Sequence, residues 1–157
     1  MLPEIIFGTS VAFGFLAWSI VAARYVWPAL HGQARADALR HFLILHSFRF
    51  VGLAFLVPGV VSPDLAAAFA KSAAYGDIVA AGLALLALAS LNSRAGLPLV
   101  WIFNLWGSAD LLHAFYQGYA VGLQPGHLGA AYFIPTFVVP MLLISHVLVF
   151  RILVQRR

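Results

Sequence analysis

Residues 66–91, AAAFAKSAAYGDIVAAGLALLALASL, form a run of 26 residues broken only by Lys71 near its start and Asp77 in its first half. A helix needs about 20 mainly apolar residues to cross a hydrocarbon core about 30 Å thick, and this run has them. Working outward, four further stretches of the same kind occur at about 4–27, 41–61, 97–120 and 129–152. The connections between them are short and carry Pro or Gly. Strands are excluded because the runs are too long, do not alternate, and are rich in Ala and Leu.

The composition agrees. Of 157 residues, 63% are hydrophobic and 9% charged, against about 45–50% and about 25% in ordinary soluble domains. A soluble globule could not hide that much apolar surface, and disorder or coiled coil would need far more polar sequence. The absence of cysteine excludes a disulfide framework, thiolate metal sites and a cysteine nucleophile. The expected fold is therefore all-α, a polytopic membrane protein of five transmembrane helices, with residues 1–157 as one integral membrane domain.

Charge placement sets an expected orientation. Arg24, Arg35, Arg40, Arg94, Arg151, Arg156 and Arg157 fall in or beside the first loop, the third loop and the C-terminus, against Lys71 alone near the second loop. The positive-inside rule then puts the N-terminus outside and the C-terminus in the cytoplasm of a bacterial-type inner membrane. Tyr75, Tyr116, Tyr119 and Tyr132 sort to the outer ends, and Tyr25, Trp27 and Trp101 to the inner ends. The opening run lacks a basic region and is too long for a signal-peptide core, so it reads as a retained helix.

Ionisable groups within the spans carry the functional expectation, because each costs about 2.5–3.5 kcal/mol at mid-bilayer on insertion scales. Placed by a rise of about 1.5 Å per residue, they fall into three layers. His46, Asn104 and His146 form an inner layer; Arg49, Asp77 and Asp110 a middle layer; and His113, Gln117 and Tyr116 an outer one. Arg49 continues the face of His46, with Gly52 and Leu53 beyond. On the fourth span, Trp106, Asp110, His113 and Gln117 form one stripe with Asn104 and Ser108 elsewhere, which places that helix at the bundle centre. The first span, the most uniformly apolar, is expected at the periphery.

In the middle layer an arginine, which keeps its proton in proteins, should hold one carboxylate as a charge-assisted pair. The spare aspartate then carries a proton or meets a ligand cation or water. The leading expectation is binding or translocation of a small solute or proton, with Arg49, Asp77, Asp110, His113, Asn104 and Gln117 as the ligand or proton site. Arg49 would engage an anionic group or hold the resting ion pair. The bland alternative is a non-catalytic lipid-binding or assembly subunit, in which the same charges only lock helices together.

A third reading makes His46 and His146 axial ligands of a haem, or with Asn104 a transition-metal site, in a membrane enzyme or redox protein. Asp110-x-x-His113 has the spacing of a zinc or acid/base pair, but its partners lie about two turns away in depth. His31, His41 and His127 lie in loops or at helix ends and receive no role. Lys71 is too shallow for a Schiff base, and Pro135 and Pro140 should kink the fifth span and shape a pocket or hinge. The expected partners are the lipid bilayer, a small-molecule or proton ligand, and a second copy of the chain through the alanine-rich side of the third span. No nucleic-acid surface is present; the arginines serve topology and anionic lipid.

Overall fold

The computed structural model describes residues 2–155, so Met1, Arg156 and Arg157, the last two counted above as orienting charges, lie outside the described residues. The described chain is helical with no strand. We label the long helices α1 Pro3–Ala29, α2 Arg35–Leu56, α3 Ala67–Ser90, α4 Gly96–Ala120 and α5 Ile134–Val154, the last preceded by a 3₁₀ segment Pro125–Tyr132. Four of them (α1, α2, α3 and α5) are long and apolar enough to cross a membrane. At 25 residues α4 is as long, but it spends Asn104, Ser108, Asp110, His113 and Gln117 on polarity.

Helices α2, α3, α4 and α5 close a ring by successive contact, α5 returning to α2, and α1 packs from outside mainly on α5. No residue of Pro3–Val21 is buried, as expected of a peripheral helix. Helix α4 is not the central helix its two polar faces suggested but one of the four in the ring: α3 buries ten residues, mostly alanine, whereas α4 buries seven and turns Ile102, Leu105, Trp106 and Leu112 outward. This also removes the alanine-rich side of α3 as a surface for a second copy, since Ala73, Ala74, Ala80, Ala81, Ala84 and Ala87 are consumed within the chain.

Two apolar clusters fill the ring. One, with Leu39, Phe42, Leu43, Ala84, Val100, Phe103 and Val149, occupies the end that holds the 30–34 turn. The other, with Phe55, Phe69, Ala73, Leu111, Ile134 and Val139, occupies the opposite end. Between them lies a polar layer of His46, Arg49, Asp77, Asn104, Ser145 and His146, all buried. Outside, Phe13, Leu16, Phe50, Leu85, Leu86, Phe137 and Val147 are exposed, an apolar girdle of the kind a hydrocarbon phase covers.

The second helix starts six residues earlier than the sequence indicated and tightens from Ser47 onward into a 3₁₀ segment, Phe48–Leu56. Three residues per turn put i and i+3 in line, so its buried residues are Arg49, Gly52 and Phe55. Leu53, which an α-helix would have kept beside Arg49, is turned outward.

In α5, Pro140 has no N–H for the Thr136 carbonyl and its ring crowds that oxygen; the chain widens into a π turn over Ile134–Val138. Carbonyls at the kink face α1. A β-carbon at Gly14 of α1 would overlap Thr136 O, and the Trp18 indole N–H donates to Phe137 O at 3.1 Å. The kink is thus also the seat of α1. At its far end α4 stops in a Schellman turn: Leu123 N–H donates to Gly118 O at 2.9 Å and Gly122 N–H to Tyr119 O at 3.1 Å, with Gly122 at φ 61°.

Candidate functional site

Arg49 is the hub of the polar layer. Its Nε donates to Asp77 Oδ1 and its Nη2 to Asp110 Oδ2, both at 2.7 Å, while Nη1 donates to Gly107 O at 3.1 Å and, more weakly, to His146 Nε2 at 3.4 Å. One guanidinium thus bridges α3 and α4 rather than gripping a single carboxylate with both prongs. The planar fork of arginine permits this; a lysine, a single point of charge, has no equivalent.

The hydrogen-bond pattern fixes the histidine protons. Asn104 Nδ2 donates to His146 O at 3.2 Å, so Asn104 Oδ1, 2.7 Å from His146 Nδ1, accepts from it. His146 therefore carries its proton on Nδ1 and offers Nε2 as acceptor to Arg49. Ser145 spends its hydroxyl proton on Leu142 O at 2.7 Å, so the same oxygen, 2.8 Å from His46 Nε2, accepts there. His46 Nδ1 is left buried with no hydrogen-bond partner among the described residues. Both rings are neutral in this arrangement.

Three glycines make room for the layer. A β-carbon at Gly52 would overlap Asp77 Oδ2, and one at Gly76 would overlap Asp110 Oδ1. At Gly107 it would lie 2.6 Å from His146 Cε1 and 2.8 Å from Arg49 Nη1. Each aspartate thus has one oxygen on Arg49 and the other against a glycine of the neighbouring helix. Of the three, the sequence put Gly52 on the Arg49 face; Gly107 was missed, although it shares a face with Asn104 and Leu111 at helical spacing.

Beside the layer is a cavity of about 450 Å³, within the range of about 300–1,000 Å³ common to small-molecule sites. Its walls include Phe7, Phe55, Phe69, Leu111, Phe115, Ile134 and Val139, with Tyr119, Leu123 and Gln124 at the end where α4 turns back. Ile134, Pro135 and Val139 come from the kinked part of α5, so the kink does shape a pocket. Its polar lining includes Asp77 and Asp110. Their side chains are 9% and 12% exposed, while that of Arg49 is 0% exposed and absent from the lining. Of the two roles expected of Arg49, engaging an anionic group or holding the resting ion pair, the structure has the ion pair, with the guanidinium sealed behind the carboxylates.

The other sequence-derived residues divide. His46, Asn104 and His146 meet as expected, the two imidazole rings 4.2 Å apart between centroids. That separation leaves no room for an iron held between them, and both His146 nitrogens are occupied. The outer layer does not assemble. His113 is exposed and stacks on exposed Tyr116 at 6.3 Å, making no hydrogen bond to Asp110; Trp106 is also turned outward. Gln117 is half-buried with Oε1 unpartnered. Among the described residues, no group of three or more His, Asp or Glu side chains is gathered as metal ligands.

Fold and site together define a helical bundle of largely membrane-compatible helices around a buried arginine that joins two aspartates. The chain belongs to the family described as a domain of unknown function, DUF8737, whose model matches residues 6–154. No curated protein and no solved structure matches it.

Proposed function

We propose that the chain is an integral membrane protein of five spanning helices, α4 included, which binds a small solute or proton in the cavity beside Asp77 and Asp110 and passes it through the bundle. A polar α4 is tolerated in a membrane because its Asn104, Gly107 and Asp110 side faces the ring interior. The arginine distribution supports an N-terminus outside and a C-terminus in the cytoplasm of a bacterial inner membrane. The observation that carries the reading is the meeting of an apolar cavity with two carboxylates that share one arginine.

The polar groups beyond Arg49 give the layer depth. From the cavity the order is Asp110 or Asp77, Arg49, His146, then His46 and Ser145. Ser145 also lines a second space of about 510 Å³ between α1, α2 and α5. Arg49 keeps its proton, so it acts as a positive plug in this series, and passage requires a cation or proton to compete with it for a carboxylate.

A second reading has its own support: with four polar contacts on Arg49 and a glycine behind each aspartate, the layer also suits a packing lock in an assembly subunit. Proteoliposomes separate the two. Dye-reported proton or solute flux above that of protein-free vesicles, reduced by Asp110→Asn and by the cavity-filling Ala114→Phe, supports the first. Flux in wild type equal to protein-free vesicles, in a protein that Asp77→Asn merely destabilises, supports the lock.

A further inference from the structure

From the charge of the site we infer the class of its ligand, an inference that rests on the cavity being a binding site. We propose that the cavity takes a lipophilic cation, an amine whose ammonium group meets Asp77 and Asp110 while its hydrocarbon part fills the apolar walls.

Three observations carry this. First, the layer holds one arginine and two aspartates. With both histidines neutral by their hydrogen bonds, two ionised carboxylates leave one negative charge without a partner in a low-dielectric interior, where an uncompensated charge is expensive. Second, no Lys, Arg or His lines the cavity, and Arg49 is sealed from it, so the only charged groups an anion would meet there are the two carboxylates. Third, five aromatic rings line the space, those of Phe7, Phe55, Phe69, Phe115 and Tyr119. Aromatic faces attract cations and repel anions, which adds to the preference set by the carboxylates. A proton is the smallest cation that satisfies the first observation; only a larger one satisfies the apolar volume as well.

Calorimetry on the full-length protein in nanodiscs tests this with octylamine, octanol and octanoate, which share a chain and differ in head group. Lipid partitioning is removed by subtracting titrations of empty nanodiscs. The expected result is octylamine binding tighter than octanoate by about ten-fold or more. That preference should fall in Asp110→Asn, and all binding should be lost in Ala114→Phe, which fills the cavity without removing a charge. Octanoate or octanol binding as well as octylamine to wild type, with all three lost in Ala114→Phe, overturns the cation assignment and leaves the cavity a binding site. No saturable binding of any probe to wild type, or binding unchanged by Ala114→Phe, overturns the cavity reading itself. The wild-type comparison decides even where Asp110→Asn does not fold.

Discussion

Asp110 of α4 rests one carboxylate oxygen against the α-carbon of Gly76 on α3 while the other accepts from Arg49 of α2, so a single side chain fixes the spacing of three helices. Asp77 repeats the arrangement one helix earlier, against Gly52. The absent side chains at residues 52 and 76 are therefore part of the charge layer.

Gly76→Ala and Gly52→Ala each force a short, tethered aspartate to move, and overpacking of this kind costs about 1–3 kcal/mol. Gly82→Ala, on the same helix as Gly76 and with nothing within 4 Å of a new β-carbon, is neutral or stabilising by about 0.5–1 kcal/mol. Thermal unfolding in one detergent checks this: Gly76→Ala should melt lower than wild type and Gly82→Ala should not.

Arg49→Met strands the buried Asp77 and the part-buried Asp110 carboxylates and should cost about 3–5 kcal/mol, the usual result of removing one partner of a buried ion pair. Arg49→Lys should recover only part of that, because an ammonium at one point replaces a fork that reaches Asp77, Asp110 and Gly107 from three nitrogens. The order wild type, Lys, Met in apparent Tm is the expected outcome. Lysine equal to wild type would show that charge alone, without the fork, holds the layer.

Much of this layer was legible from the sequence because charges are rare in apolar runs and depth follows from residue count. Arg49, Asp77 and Asp110 were grouped correctly, as were His46, Asn104 and His146. Rotation about each helix axis was less legible. The 3₁₀ tightening at Phe48 moves Leu53 out and keeps Gly52 in, and no propensity rule marks that switch. The stripe Trp106, Asp110, His113 and Gln117 failed for a related reason: it is a narrow stripe, within about 60° of arc, but it lies at the edge of the buried face of α4, so only its Asp110 margin meets Arg49 while Trp106 and His113 turn outward. That one arginine serves two aspartates follows from where α3 and α4 lie relative to α2, which spacing within a helix does not encode.

Orientation is checked with the chain's own lack of cysteine. Asn92→Cys in the turn after α3 and Gly126→Cys after α4 each provide a single thiol in exposed backbone. In intact cells an impermeant maleimide should label Gly126→Cys, and should label Asn92→Cys only after lysis. The reverse pattern would invert the topology, and labelling of both in intact cells would remove α4 from the spanning helices.

The most direct test of the central claim, that a cavity beside Asp77 and Asp110 is open to cationic solutes, places one cysteine at Ala114 on its wall. Labelling rates are compared for a cationic and an anionic methanethiosulfonate of similar size, before and after Asp110→Asn. With each rate divided by that reagent's rate with a free thiol in solution, the account predicts that the cationic reagent reacts faster by about ten-fold, equivalent to about 1.4 kcal/mol, and that Asp110→Asn narrows the difference. Equal rates, faster anionic labelling, or no labelling by either reagent would contradict it.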